Sequence, residues 1–228
     1  QTARKVWSNQ ISILVGDYLY SYAMRQIVTF KNQAVNETLA EACSRMAEGE
    51  VLQLYHHGSI AMTEADYIRI VEHKTASLIA TSCRIGAIIS HASEERQTAL
   101  FRFGEYIGIA FQMADDTLDY TANGTQLGKT LGQDLRQGKI TIPLLHLLQQ
   151  CPEPDRQMIK DRLETRTLSD TDLQRIIALM QDYGSIAYAM DRARAYVAAA
   201  TRSLALFDDS PAKRALVIVA DYMVNRDR

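Results

Sequence analysis

The sequence predicts an all-α protein, and three observations carry that expectation. Glycine (11) and proline (4) are scarce for 228 residues, whereas a β-rich fold needs many tight turns. Apolar residues recur at helical spacing along most of the chain. No segment alternates as a strand would. The apolar faces are broad and the helices long, which suits a bundle with helices buried on several sides. With 47% hydrophobic and 23% charged residues, the composition is that of a globular protein, and one domain over 1–228 is expected.

The elements follow in order. Over 9–29, Ile11, Leu14, Val15, Tyr18, Leu19, Tyr22 and Ala23 recur at helical spacing. Asn36 and Thr38 are candidate caps for a second helix to about 54, with Ala40, Cys43, Ala47, Val51 and Leu54 on one face. His56-His57-Gly58 breaks it. Thr63, with Asp66 three residues on, starts a third helix that runs to about 90. A fourth covers 94–120. The stretch 121–138, with Gly124, Gly128, Gly132 and Gly138, reads as a structured loop. A short apolar helix over 139–150 carries Pro143 in its first turn. After the break at Cys151-Pro152-Glu153-Pro154, helices are expected at 155–165, 170–183, 186–206 and, from Ser210-Pro211, to about 225.

Several function classes are excluded. A net charge of −2 gives no global field for nucleic acid or an anionic membrane, so any phosphate site must be built locally. No uninterrupted apolar run approaches the ~20 residues of a membrane span. Cys43, Cys83 and Cys151 are far apart and odd in number, and they read as free thiols in a reducing cytoplasm. His56 and His57 have no ligand spacing to His73 or His91. Gln1 opens directly into Thr2-Ala3-Arg4-Lys5-Val6-Trp7, which reads as the interior of a longer protein; the domain is expected to be incomplete at its N-terminus.

The densest chemical signal is Asp115-Asp116-Thr117-Leu118-Asp119, at the end of the fourth helix. Residues four apart on a helix are offset by roughly 40° with Cβ atoms ~6 Å apart, so Asp115 and Asp119 point the same way with Asp116 beside them. Three close carboxylates repel, and the negative end of the helix dipole adds to their cost. A bound divalent cation relieves both, and oxygen-only ligands select Mg²⁺ or Mn²⁺ over zinc. The alternative is a solvated acidic helix end, but the apolar approach from Tyr106 to Ala114 argues for an interior helix. The second signal is lysine beside a small hydroxyl: Lys74-Thr75, Lys129-Thr130 and Lys139-Ile140-Thr141. A diphosphate bridged by a metal still carries negative charge that ammonium groups neutralise, and it leaves a breaking C–O bond with more charge than it had.

Read together, these motifs carry a resemblance. Gly16-Asp17-Tyr18-Leu19, Glu48-Gly49-Glu50-Val51-Leu52-Gln53-Leu54, Lys74-Thr75-Ala76, Phe111-Gln112 before the aspartates, Leu127-Gly128-Lys129, Gly132 with Asp134-Leu135, and Gly138-Lys139 with Thr141 and Pro143 resemble the trans-polyprenyl diphosphate synthases. The match runs the length of the chain and is most like bacterial long-chain synthases of the octaprenyl type, which make quinone side chains such as the ubiquinone precursor. It implies an isoprenoid-synthase-type helical bundle around a central cavity, a homodimer, and a cytoplasmic enzyme with no transmembrane segment that meets the membrane only transiently, to release product. The implied reaction is Mg²⁺-dependent head-to-tail condensation of isopentenyl diphosphate with an allylic prenyl diphosphate. The resemblance also implies that a first aspartate-rich motif, with the arginines after it, lies upstream of Gln1.

The roles it implies are these. Asp115 ligates Mg²⁺ directly, and Asp116 and Asp119 ligate it directly or through water. Lys74 and Lys139 grip the allylic diphosphate, with Lys129 a third. Thr75 and Gln112 lie near the allylic carbon and stabilise developing positive charge. Asp134 orients a lysine or a water. Two other readings differ in class. A non-catalytic or regulatory subunit of a heteromeric synthase usually loses its acidic motif, which this chain keeps. A class I terpene cyclase carries an Asn/Asp-rich second motif with Ser or Thr, which 115–119 does not match.

Overall fold

The computed structural model describes residues 3–121 and 131–225. Among them every regular element is helical and there is no strand. The chain forms two compact units, 1–41 and 42–228.

The first unit holds α1 (Ala3–Val6), α2 (Asn9–Thr29) and the start of α3 (Gln33–Tyr55). The Ser8 hydroxyl accepts the Ile11 amide and caps α2. No residue of α2 is buried, and Ile11, Leu14, Val15, Tyr18, Leu19 and Tyr22 are all exposed. α3 starts earlier than its expected caps. Asn32 accepts the Val35 amide, while Asn36 and Thr38 lie inside the helix and Thr38 bonds back to the Ala34 carbonyl. Of the residues expected to share one face of α3, Val51 and Leu54 are 65% and 71% exposed, whereas Val35, Leu39 and Ala42 are buried. Apolar residues line more than one side of this helix, so periodicity did not single out the buried one.

The second unit is built on α6 (Glu94–Thr121), which packs against α5 (Ser77–Ile89) and α11 (Ser185–Ser203). Ile107, Ile109, Ala110, Met113 and Ala114 are all buried, as an interior helix requires. Small residues allow the close approach. A Cβ on Gly104 would lie 2.7 Å from the Ala80 Cα, and one on Gly108 2.5 Å from the Ala76 Cα. The second unit also holds α8 (Ile142–Gln150), α9 (Glu153–Thr165), α10 (Asp170–Asp182), a 3-10 turn at Leu204–Leu206 and α12 (Pro211–Asn225). α10 opens with a capping box between Ser169 and Asp172.

The long helix expected over 63–90 is interrupted. α4 (Glu64–Val71) starts at a capping box between Thr63 and Asp66 and passes into a π-helical turn, Glu72–Ala76, before α5. That turn carries Lys74 and Thr75. In an ideal α-helix residues eight apart are offset by roughly 80°. The wider π turn absorbs an extra residue and removes most of the offset between Tyr67 and Thr75. The loop expected over 121–138 contains a short helix, α7 (Gln133–Arg136), and Pro143 lies in the first turn of α8 as expected.

Candidate active site

Gln112, Asp115, Asp116 and Asp119 are spaced by three and four on α6 and so lie toward one side of its C-terminal turns. Lys74 and Thr75 face them from the π turn, and Lys139 from the segment between α7 and α8. These meet at a cavity of about 120 Å³ lined by Lys74, Thr75, Gln112, Asp115, Asp116 and Lys139, with Tyr67 and Asp134 in its wall.

Asp116 is 6% exposed. Its Oδ2 accepts the Tyr67 hydroxyl at 2.7 Å and its Oδ1 accepts the Gln112 amide at 2.7 Å. The Gln112 carbonyl in turn accepts the Thr75 hydroxyl at 2.9 Å. Burial pushes the Asp116 carboxyl up to about 7; the bonds from Tyr67 and Gln112 oppose the rise, and the charges of Asp134 and Asp115 add to it. The Tyr67 phenol is raised by burial first and by Asp116 second.

Asp119 is not in the cavity lining. Its Oδ2 accepts the Asp134 amide at 2.8 Å, and its carbonyl accepts the Gly132 amide at 2.9 Å. A short helix needs partners for its free N–H groups, and Asp119 supplies them to α7. Burial raises its carboxyl and the Asp134 amide opposes that. Among the described residues no group of three His, Cys, Asp or Glu is placed to hold a metal ion. Asp115 and Asp116 share the cavity with Asp134, which is paired with Lys139. That donor set fits a hard cation such as Mg²⁺, which is commonly held by one or two carboxylates together with the oxygens of a bound phosphate.

Two of the three candidate site lysines are described, and each has a carboxylate partner. Lys74 pairs with Glu50 at 3.0 Å and donates to the Gln53 carbonyl at 2.7 Å. Lys139 pairs with Asp134 at 2.7 Å. Gly138 has φ +70, a conformation costly for other residues, and its carbonyl accepts the Gly58 amide at 2.8 Å. That turn fixes the backbone from which Lys139 reaches the cavity. Lys129 lies outside the described residues.

Sequence reasoning missed Tyr67, Glu50 and Gln53. Tyr67 reads as one more core tyrosine, and at 3% exposed it is core as well as polar partner. Gly49 permits the close approach here: a Cβ on it would lie 2.5 Å from the Lys74 amide nitrogen.

An all-helical bundle whose cavity sets aspartates against lysines and small hydroxyls suits an enzyme that works on diphosphates, and comparison with known proteins gives the class as prenyltransferase. The polyprenyl synthetase family profile matches residues 1–180. Octaprenyl diphosphate synthase of Escherichia coli K12 is 36% identical over 227 residues, covering 100% of this chain and 70% of that protein. The crystal structure of a decaprenyl diphosphate synthase from Rhodobacter capsulatus superposes with a TM-score of 0.93 at 37% identity, covering 100% of this chain and 70% of that one. A polyprenyl synthase from Caulobacter crescentus, solved in complex with calcium and isoprenyl diphosphate, gives a TM-score of 0.94 at 33% identity, covering 98% and 68%. The chain belongs to the polyprenyl synthetase family, whose members bind diphosphate through a divalent metal.

Proposed function

We propose that the protein condenses isopentenyl diphosphate head-to-tail with an allylic prenyl diphosphate, using Mg²⁺ or Mn²⁺, to build a long trans-polyprenyl diphosphate of the kind used for quinone side chains. One observation supports the assignment of roles: Lys74 and Lys139 line one small cavity together with Asp115 and Asp116. The likeness to octaprenyl and decaprenyl diphosphate synthases supports the long product.

Asp115 and Asp116 would hold the cation, with Asp119 acting from behind through α7. A bound divalent cation would neutralise diphosphate oxygens and lower the cost of their leaving. Lys74 and Lys139 bind the remaining oxygens and stabilise the charge that grows as the C–O bond breaks. Thr75 and Gln112 present oxygen atoms toward the carbon left behind. The isopentenyl double bond then attacks that carbon, and a proton is lost to complete the new alkene; the departed diphosphate is a chemically competent base. Cys43, Cys83 and Cys151 are all free, which suits a reducing cytoplasm. Among the described residues no helix is long and apolar enough to cross a membrane.

The test is the full-length enzyme incubated with farnesyl and isopentenyl diphosphates and Mg²⁺, with products read by mass. A ladder ending at a long polyprenyl diphosphate is expected; no incorporation of isopentenyl units would sink the reading. In the same assay Asp115→Ala should slow turnover by roughly a hundredfold or more while circular dichroism stays that of the wild type. Near-normal activity at saturating Mg²⁺ would remove Asp115 from the metal site.

A further inference from the structure

We propose that Tyr67 is a positioning residue for the ionisation step: its hydroxyl fixes Asp116 as an acceptor on both oxygens, which sets the orientation of Gln112 and turns the Thr75 oxygen lone pairs toward the reacting carbon. The inference rests on the prenyltransferase reading above.

The geometry is a directed chain across three helical segments. Thr75 donates to Gln112, Gln112 donates to Asp116, and Tyr67 donates to Asp116 from the other side. Each direction follows from the inventory of protons. The Gln112 amide NH₂ faces Asp116, and its carbonyl faces Thr75. Thr75 has a single hydroxyl proton, and that carbonyl takes it. The rest of the Thr75 oxygen, in the cavity wall, presents lone pairs alone. Pre-oriented dipoles of this sign stabilise positive charge as it develops, without reorganising at the moment of reaction. Were the amide reversed, Thr75 would accept from Gln112 and its proton would be free to point at the carbon. That arrangement opposes the cation.

Tyr67 is what holds the far end. Its phenol is buried, it comes from α4, and it reaches α6 across 49 residues of sequence. Removing the hydroxyl leaves one oxygen of a buried carboxylate without that donor. The carboxylate then turns to recover a bond, and the Gln112 amide loses its fixed orientation. On this account Asp116 serves Gln112 as well as the cation, and the Tyr67 hydroxyl supports the first of these tasks.

A double-mutant cycle on the full-length enzyme separates this from a merely structural role, using Tyr67→Phe, Thr75→Val and the pair together. Tyr67→Phe should lower kcat by about tenfold with both KM values within about twofold, a loss confined to the transition state. The double variant should be no slower than Thr75→Val alone, because both substitutions break one chain. Mn²⁺ affinity in the presence of inorganic diphosphate, read by electron paramagnetic resonance, should stay within about twofold of wild type. Multiplying losses in the double variant would overturn the proposal. So would a tenfold weaker Mn²⁺ affinity in Tyr67→Phe, which would make Tyr67 a support for a metal ligand instead. If Tyr67→Phe does not fold, Gln112→Met with Thr75→Val breaks the same chain one link nearer to Thr75, and additive losses there count equally against it. A wild-type enzyme that incorporates no isopentenyl unit takes the parent reading down and this inference with it; an active wild type with an additive cycle removes only the inference.

Discussion

Among single residues, Lys139 offers the sharpest separation of chemistry from docking. Its ammonium lies 2.7 Å from Asp134 in the wall of the cavity. A charge that only captured substrate would raise KM when removed and spare kcat, whereas one that meets departing diphosphate strengthens as the bond breaks. Lys139→Ala is expected to lower kcat at least about tenfold beyond any change in KM, with Lys139→Arg recovering part of it. Unchanged kcat in steady-state assays would reduce Lys139 to a docking residue. Much of this residue-scale picture is legible in the sequence, because Gly138-Lys139 and the aspartates announce themselves by type and spacing. The partners are not. Nothing in the pattern links Tyr67 to Asp116 or Glu50 to Lys74, since those bonds join positions 49 and 24 residues apart. Asp119 shows the same limit. Helical spacing puts it in line with Asp115, but only the folded chain reveals that the start of α7 claims its carboxylate.

At the scale of elements, two features of the segment 63–90 matter most. Its start is legible: Thr63 and Asp66 form the expected capping box. Thr63→Ala should destabilise the protein by ~1 kcal/mol, typical of a lost N-cap, read as a lower denaturant midpoint with an unchanged slope. The Thr63 hydroxyl, and then its backbone amide, hold the Asp66 carboxyl below its ordinary range. Its contribution is therefore present above about pH 4 and fades as pH falls through the lowered value. The difference between wild type and Thr63→Ala should shrink in that acid window. The π turn is not legible, because its residues Glu72–Ala76 are ordinary helix formers and the extra residue is set by packing. Gly108 is part of that packing, since a Cβ there would meet Ala76 backbone at 2.5 Å. Gly108→Ala should cost about 1–3 kcal/mol by overpacking and reduce activity, because it moves the turn that carries Thr75 away from Gln112. Gly86→Ala is the control. A Cβ at Gly86 meets nothing within 4 Å, and alanine there should be neutral or stabilising in thermal melts.

For the whole molecule, the all-helical architecture is the most legible feature, since it follows from scarce turn residues and long apolar periodicity. What covers each apolar face is less so. The periodicity of α2 is clear in the sequence, yet the helix buries no residue, and Tyr18 is 67% exposed. On α3, Val51 and Leu54 are exposed as well. Exposed apolar faces of this kind are characteristic of an interface. A homodimer is expected, with light scattering at micromolar concentration giving twice the mass of one chain and Leu14→Glu with Tyr18→Glu shifting it toward half. A monomeric mass for the wild type would rule the homodimer out.

The pairing of Lys74 with Glu50 and of Lys139 with Asp134 also determines how the proposed site meets its substrate. In the resting cavity both lysines already have an acidic partner, and Asp115 and Asp116 line it as well. An arriving diphosphate must trade partners with two carboxylates, which then face its own negative oxygens. A diphosphate already escorted by a divalent cation gives those carboxylates something to look at; a naked one leaves them stranded against like charge. The site thus turns away metal-free diphosphate by repulsion as much as it admits the metal complex by attraction.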